Sequence, residues 1–226
     1  MEGVEKLNPD GTFSNEGIRY IMDGLIRTGI AMSYVGNSRP ASGSEHHLSH
    51  YWEAMFLFAG KEALLHGTKV GLTSILIAKI YEWFAKETKF DFARAEARIR
   101  AFDEEHWEAQ IRKLYLKAAP GIIAKAKQDC RNDVPKRLQR LAFIEKNLPK
   151  IQAIAASAKS YDFIEGIMRR AGAPLRPMEV GISDEIVYHS VCIAHEVRQR
   201  YTILNLLHDL DLSEQYAKRV VDFLQA

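Results

Sequence analysis

The sequence lacks several features that would place it directly in a familiar class of protein. None of its 14 glycines is adjacent to another glycine or separated from one by a single residue. A dinucleotide-binding turn of the usual glycine-rich kind is therefore not visible in these 226 residues. Cysteine is scarce as well, because Cys130 and Cys192 lie far apart and match no metal or redox spacing. We expect both to be free thiols.

The sequence also has no large excess of positive or negative charge and no long apolar run. Lysine and arginine number 31 against 29 aspartates and glutamates, a formal net charge of +2. That balance argues against binding to nucleic acid or to an acidic membrane surface. The most apolar run, 70–78, is about half the length that a membrane-spanning helix needs. The first eight residues are charged and contain no apolar signal-peptide segment, so we expect a cytoplasmic protein.

Helical signals dominate what is present, and no alternating strand pattern, internal repeat or low-complexity tract is visible. Ser14, Ser44 and Ser183 stand where helices are expected to begin. We predict an all-α multi-helix bundle in which residues 1–226 form one domain. The predicted helices are 18–34, 41–58, 68–88, 92–117, 122–159 with breaks near Pro120 and Pro135, 162–170, 184–201 and 213–224.

Four of the eight histidines lie in one short window of the chain. His46 and His50 are one turn apart on one face of the predicted helix, whereas His47 points about 100° away. His66 stands at the edge of the next long helix, and the intervening loop can return it towards His46. Imidazoles at this spacing suit a divalent transition metal. The spacing alone is weak evidence, and it also fits a histidine-rich surface.

A second histidine motif lies late in the chain. His208 and Asp209 form a doublet that resembles the motif of metal-dependent phosphohydrolases of the HD type. That chemistry needs a further histidine and a further aspartate from other helices, for which His195 and Asp222 are candidates. The alternative interpretation is structural, with a histidine at a helix end beside an aspartate that caps it.

The segment Gly29–His50 is far more specific than any spacing rule, because it contains Ser-Arg-Pro-Ala-Ser-Gly-Ser-Glu-His-His at 38–47. It resembles the metal-site segment of sn-glycerol-1-phosphate dehydrogenases, which belong to the superfamily of iron-containing alcohol dehydrogenases and glycerol dehydrogenases. The resemblance covers most of the chain and is nearest to the bacterial branch. Further matching blocks are His66-Gly67 with Lys69–Leu72 and Tyr81-Glu82, Gly172–Pro174 with Val180–Ser183, and Arg198 with Arg200–Leu204.

The resemblance implies a metal centre and a cofactor. In that family a Rossmann-like N-terminal domain binds NAD(P), and an all-helical C-terminal domain supplies most of the metal site. One aspartate and two histidines hold the metal, which is variously zinc, nickel or iron. By motif the two histidines fall on His46 and His66, and His47 is a poorer match. His50 matches a second histidine close to substrate and metal, where it or a water that it positions supplies a proton.

The resemblance also implies dihydroxyacetone phosphate as substrate. Its phosphate needs cationic or N–H donors, and Arg39, Ser42 and Ser44 at a helix start are the candidates. A loop salt bridge is the alternative role for Arg39. We interpret Arg198 and Arg200 as structural.

The chain departs from the family in two respects. The sequence shows no counterpart of the Gly-Asp segment that carries the family's aspartate ligand, and no dinucleotide-binding domain is visible. We therefore expect only the C-terminal half of the enzyme, inactive by itself. The alternatives are a non-catalytic helical domain that binds a partner protein and the HD-type phosphohydrolase. The expected partners are a polyol phosphate, a second copy of the chain or a separate nucleotide-binding domain.

Overall fold

The computed structural model describes Lys6 and residues 12–226, and this part of the protein is an all-α bundle without any β-strand. The predicted fold class is confirmed. Short 3₁₀ turns lie at Arg39–Ala41, Leu116–Ala118, Pro177–Val180 and Ala194–Glu196. The α-helices are α1 (Asn15–Val35), α2 (Ser44–Phe58), α3 (His66–Ala85), α4 (Phe92–Arg100), α5 (Glu104–Tyr115), α6 (Ala119–Gln128), α7 (Val134–Ala156), α8 (Tyr161–Arg170), α9 (Asp184–Ile193), α10 (Ile203–Asp209) and α11 (Ser213–Gln225).

Local side chains explain where several helices begin. Ser14 Oγ accepts the backbone N–H of Gly17 at 3.0 Å, so Ser14 caps α1 as predicted. Ser183 caps α9 in the same way. The predicted breaks near Pro120 and Pro135 are confirmed, and the two prolines stand in the first turns of the helices that follow, α6 and α7. A proline is favoured at that position because its missing N–H would have no partner there.

The predicted helix 184–201 is wrong beyond Ile193, where α9 ends. A 3₁₀ turn follows because Glu196 is drawn into the core, where its carboxylate accepts from Trp107 Nε1 at 2.8 Å. The Arg131 guanidinium donates to the backbone carbonyl of Glu196 at 2.6 Å. Both partners are distant in sequence, so local periodicity could not show them. The chain then begins the unpredicted helix α10, which Thr202 and Asn205 start with a capping box.

The core centres on the α2–α3 pair, against which α7, α8 and α9 also pack. Trp52 of α2 is fully buried, and its indole N–H donates to Ser190 Oγ of α9 at 3.0 Å. Tyr115 lies edge-on to Tyr51 and donates to the carbonyl of Ile193 at 2.8 Å. Buried aromatic groups with satisfied polar ends therefore fix α9 against α2 and α5.

Helix α1 stands apart from this core. Within α1 only Gly17 is buried, and its main contacts are with the 3₁₀ turn at Arg39–Ala41. Large apolar side chains on it are exposed, including Leu25 at 62% and Ile26 at 57%. No helix in the described part of the chain is both long and apolar enough to cross a bilayer.

We expect Ser190→Ala to lower the free energy of unfolding by about 1–3 kcal/mol, because the buried indole N–H of Trp52 loses its acceptor. Urea unfolding measures this loss. In a Trp52→Phe background the same substitution should cost less, since no N–H is left unpaired. Ser157→Ala, at an exposed helix end, is the control. Equal losses in both backgrounds would show that the hydrogen bond contributes nothing.

Candidate metal and substrate site

Three histidines from two neighbouring helices meet at one end of the α2–α3 pair. The ring centroids of His46 and His66 are 5.2 Å apart. The ring of His50 lies 6.3 Å from the first and 6.1 Å from the second. His46 and His50 come from successive turns of α2, and His66 is the first residue of α3. We call these three residues the histidine cluster.

A buried lysine holds the two helices of the histidine cluster together. Lys69 of α3 is 1% exposed, and its ammonium group donates to Glu53 Oε1 of α2 at 2.8 Å. It also donates to the carbonyl of Leu64 at 3.0 Å, which fixes the loop between the helices. Thr73 forms a second hydrogen bond between the two helices, because its hydroxyl donates to the carbonyl of Glu45 at 2.8 Å. These contacts set the position of α3 relative to α2.

Glu45 orients the first histidine of the cluster. Its Oε1 lies 2.8 Å from His46 Nδ1 and also accepts the backbone N–H of Gly43 at 2.7 Å. A carboxylate acceptor favours the tautomer with hydrogen on Nδ1, which leaves the Nε2 lone pair of His46 free. Metal-binding histidines commonly have such a carboxylate partner. Glu45 was not among the predicted site residues, although it directly precedes His46.

His50 faces an arginine from a distant part of the chain. Arg198 Nη2 lies 3.2 Å from His50 Nε2. A guanidinium can only donate, so this nitrogen accepts and the proton of the neutral imidazole is on Nδ1. Burial and the charge of Arg198 lower the pKa of His50 below its ordinary value, so the ring is neutral at pH 7. The two residues are 148 positions apart, and nothing local could have signalled the contact.

The histidine cluster fits part of a metal site. His46 and His66 offer two imidazoles that face one another across a distance suited to a shared ion. The carboxylate of the family pattern is not among them. Within residues 12–226 and Lys6, no group of three or more His, Cys, Asp or Glu side chains is arranged to hold a metal. His50 does not supply the third donor, because its Nε2 lone pair accepts from Arg198.

The residues predicted to bind the substrate phosphate line one open pocket at the start of α2. This pocket, which we call the Arg39 pocket, has a volume of about 530 Å³. Ser42 is 8% exposed, and its hydroxyl has no hydrogen-bond partner in the described structure. The other lining residues include Arg39, Ser44, Tyr81, Arg200 and Thr202.

Arg200 holds the loop that carries Arg39. Its guanidinium donates to the carbonyl of Ser42 at 2.6 Å and to Ser38 Oγ at 2.8 Å, which is the structural role expected of it. Burial and the charges of Arg198 and Arg39 lower the pKa of Arg200. Three guanidinium groups therefore repel one another beside the Arg39 pocket, and a bound anion would relieve that repulsion.

His47 points away from the histidine cluster. It is completely buried, and neither of its ring nitrogens has a hydrogen-bond partner in the described structure. Burial is the first cause that lowers its pKa to about 4, followed by the charges of Arg200, His195 and Arg198. The ring is therefore neutral and lies in the interior, outside the site that His46 helps to form.

The late His208-Asp209 motif forms a structural network. The Asp209 carboxylate is buried and accepts from two arginines of α7 and from the hydroxyl of Tyr201. The ring of His208 stacks on that of His195, with 4.4 Å between the centroids. A carboxylate bound to two guanidinium groups has few lone pairs left for a metal. The arrangement favours the structural interpretation over the phosphohydrolase alternative.

Comparison with curated proteins finds relatives that share most of this chain. A glycerol-1-phosphate dehydrogenase [NAD(P)+] of Geobacillus stearothermophilus is 31% identical over 208 residues, which cover 92% of this chain and 42% of that protein. The enzyme of the same name from Geobacillus thermodenitrificans is 30% identical and covers 93% of this chain. One from Pyrococcus abyssi is 44% identical over 68 residues, 30% of this chain.

The chain is a partial-length relative of the glycerol-1-phosphate dehydrogenases. It spans 42% and 43% of the length of the two Geobacillus enzymes. That coverage and the all-α fold agree with the expected C-terminal domain of such a dehydrogenase. No family model matches the chain. No solved structure matches it either.

We expect Glu53→Gln to make this glycerol-1-phosphate dehydrogenase relative less stable at pH 7 by about 1 kcal/mol. The hydrogen bond from Lys69 holds the pKa of Glu53 below its ordinary value. The stabilisation is therefore present above the pKa of the unfolded chain, and it is lost as the pH falls through the lowered pKa of the folded state. Urea unfolding at pH 7 and at acidic pH measures it, and the deficit of the variant should shrink in acid.

Glu62→Gln is the matched control, because Glu62 is exposed in the same α2–α3 loop. It should leave the stability unchanged at both pH values. A deficit of Glu53→Gln that stays constant with pH would contradict the role given to the ion pair.

Proposed function

We propose that the chain is the helical metal-site domain of an NAD(P)-dependent glycerol-1-phosphate dehydrogenase. Such an enzyme interconverts dihydroxyacetone phosphate and sn-glycerol 1-phosphate. The observation that carries the proposal is the meeting of His46, His50 and His66 beside the Arg39 pocket. The named relatives supply the reaction class, since each is a glycerol-1-phosphate dehydrogenase.

His46 and His66 are the residues that would hold a divalent metal, with the Nε2 of His46 left free by its pairing with Glu45. When bound, the metal supplies Lewis-acid polarisation of the ketone, and NAD(P)H held by another domain supplies the hydride. His50 holds a proton on Nδ1, because its other nitrogen accepts from Arg198. Its Nδ1–H can donate a hydrogen bond to a water, and that water would protonate the oxygen of the reduced substrate while bulk solvent restores the proton.

The Arg39 pocket supports binding of the substrate phosphate. Arg39 supplies an exposed guanidinium, and Ser42 supplies a buried hydroxyl without a partner in the described structure. Ser44 is the first residue of α2, where backbone N–H groups attract anions. Arg200 adds positive charge while it holds the loop in place. An anion here would be neutralised close to the histidine cluster.

An interaction domain is the second candidate function, and helix α1 favours it. Apolar residues cover more than half of its circumference, yet few of them are buried. A helix of this kind is normally covered in the functional assembly. The two proposed functions are compatible if α1 docks against the part of a glycerol-1-phosphate dehydrogenase to which this chain has no matching residues.

We expect the purified chain alone to show no reduction of dihydroxyacetone phosphate in a spectrophotometric NAD(P)H assay. Adding the unmatched part of the Geobacillus stearothermophilus relative as a separate polypeptide should restore turnover. Leu25→Glu on α1 should prevent that restoration, whereas Ile154→Glu on α7, where the side chain is 71% exposed against 62% for Leu25, should not. Turnover by the chain alone would overturn the proposal that this chain supplies the metal site and another domain holds NAD(P)H.

We expect the chain to bind Zn²⁺ weakly, since two imidazoles without a third ligand hold the ion poorly. Isothermal titration calorimetry at pH 7 measures this. His46→Ala and His66→Ala should each abolish the binding. His106→Ala, at an exposed position of α5, should leave it intact. Binding that survives both cluster substitutions would remove the metal assignment.

A further inference from the structure

A second pocket lies beside the Arg39 pocket, on the segment that follows α9. It has a volume of about 250 Å³, and the two pockets share Gln199, Arg200 and Tyr201 on their walls. It differs from the Arg39 pocket because α7 and the loop before it form its other side. We call it the arginine pocket, and its charged or imidazole-bearing lining residues are Asp129, Arg131, Lys136, Arg137, Arg140, His195, Glu196, Arg198, Arg200, His208 and Asp209.

Positive charge dominates the arginine pocket. Six of its lining side chains are cationic and three are carboxylates. The carboxylates are buried, as is Arg137 with a side chain that is 6% exposed: the side chain of Asp209 is 0% exposed, that of Glu196 4% and that of Asp129 8%. The Arg140 side chain is 36% exposed by comparison. A ligand entering the pocket therefore meets Arg140 and the exposed Lys136 before it meets the buried acids.

Several of these cations lack a carboxylate partner in the described structure. Asp209 is shared between Arg137 and Arg140, so one carboxylate balances two guanidinium groups. Lys136 is exposed at the start of α7 and forms no ion pair there. Arg198 contacts an imidazole, and Arg200 contacts carbonyl and hydroxyl oxygens. The excess charge is therefore concentrated on groups that can turn towards an anion.

One ring nitrogen of a histidine that lines the arginine pocket has no hydrogen-bond partner among the described residues, which points independently to a ligand; the other ring nitrogen, Nε2, lies 3.7 Å from Glu196 Oε1. His195 is 7% exposed, and its Nδ1 is buried with no hydrogen-bond partner in the described structure. Its ring is held in place by stacking on His208. A buried polar atom without a partner costs free energy, so such an atom beside a pocket marks a place for a polar ligand or an ordered water.

We propose that the arginine pocket binds a phosphate group, either free or carried by a small ester, as an anion site separate from the Arg39 pocket. A phosphate matches the pocket because its oxygens accept from several guanidinium groups at once, and its charge offsets the cationic excess. The proposal does not depend on dehydrogenase activity, since Lys136, Arg137 and Arg140 lie on α7, away from the histidine cluster, and only Arg198 among the lining residues contacts that cluster, at His50. The bound phosphate would also be a second anionic partner for the cations of the 198–200 segment, besides the substrate phosphate proposed for the Arg39 pocket.

Calorimetric titration with inorganic phosphate tests the proposal on the full chain in 0.1 M chloride, which screens weak surface attraction. We expect Lys136→Glu to weaken phosphate binding at one site about tenfold. Lys146→Glu is the control, because it makes the same charge change at another exposed position of α7. Arg39→Gln separately reports on the Arg39 pocket.

The outcomes separate this proposal from the proposed function. A loss with Lys136→Glu and none with Lys146→Glu supports the arginine pocket, whatever Arg39→Gln does. A loss with Arg39→Gln alone overturns the arginine pocket and leaves the substrate site standing. Repeating the titration with glycerol phosphate identifies the source of the ligand, since the tighter of the two compounds at the Lys136-sensitive site is the natural class. Equal binding by both lysine variants and the unmodified chain overturns the proposal.

Discussion

The buried Lys69–Glu53 ion pair is the contact on which the candidate site depends. Removing an ammonium group from water costs of the order of several kcal/mol, so Lys69 must keep both the carboxylate and the Leu64 carbonyl as acceptors. Those two acceptors lie on α2 and on the loop that follows it. The requirement therefore allows essentially one position of α3 against α2, and that position brings His66 to His46 and His50.

Unbalanced positive charge is the second constraint on the structure. The segment 198–200 places Arg200 on the walls of both pockets and Arg198 on the wall of the arginine pocket. Burial is the first cause that lowers the pKa of Arg200 and that of His47, and the positive charge of Arg198 lowers both pKa values further. An anion bound in either pocket would offset this local excess of positive charge. The overall composition therefore concealed a strongly cationic region.

The fold class and the pairing of His46 with His50 could be predicted because both follow from local spacing, whereas the place of His66 beside them came from the family resemblance and the short loop. Helical periodicity and capping serines are properties of neighbouring residues, and the i, i+4 relation places His46 and His50 on one face. The end of α9 and the contact between Arg198 and His50 could not be predicted in this way. Each depends on partners far away in sequence, such as Trp107 for Glu196. How the helices pack determines which charged side chains, far apart in sequence, become partners across the bundle.

The exposed helix α1 and the absence of a third ligand from the candidate metal site in the described part of the chain have a common physical explanation. A helix with apolar groups over most of its surface gains little from folding unless another surface covers it. Likewise, two imidazoles without a carboxylate bind an ion weakly. The uncovered apolar surface of α1 and the missing metal ligand lie at the same end of the molecule. This is because the 3₁₀ turn at Arg39–Ala41 connects α1 to the start of α2. One additional folded surface docked there would cover α1 and could present the missing ligand, so completion of the core and of the chemistry would be a single event.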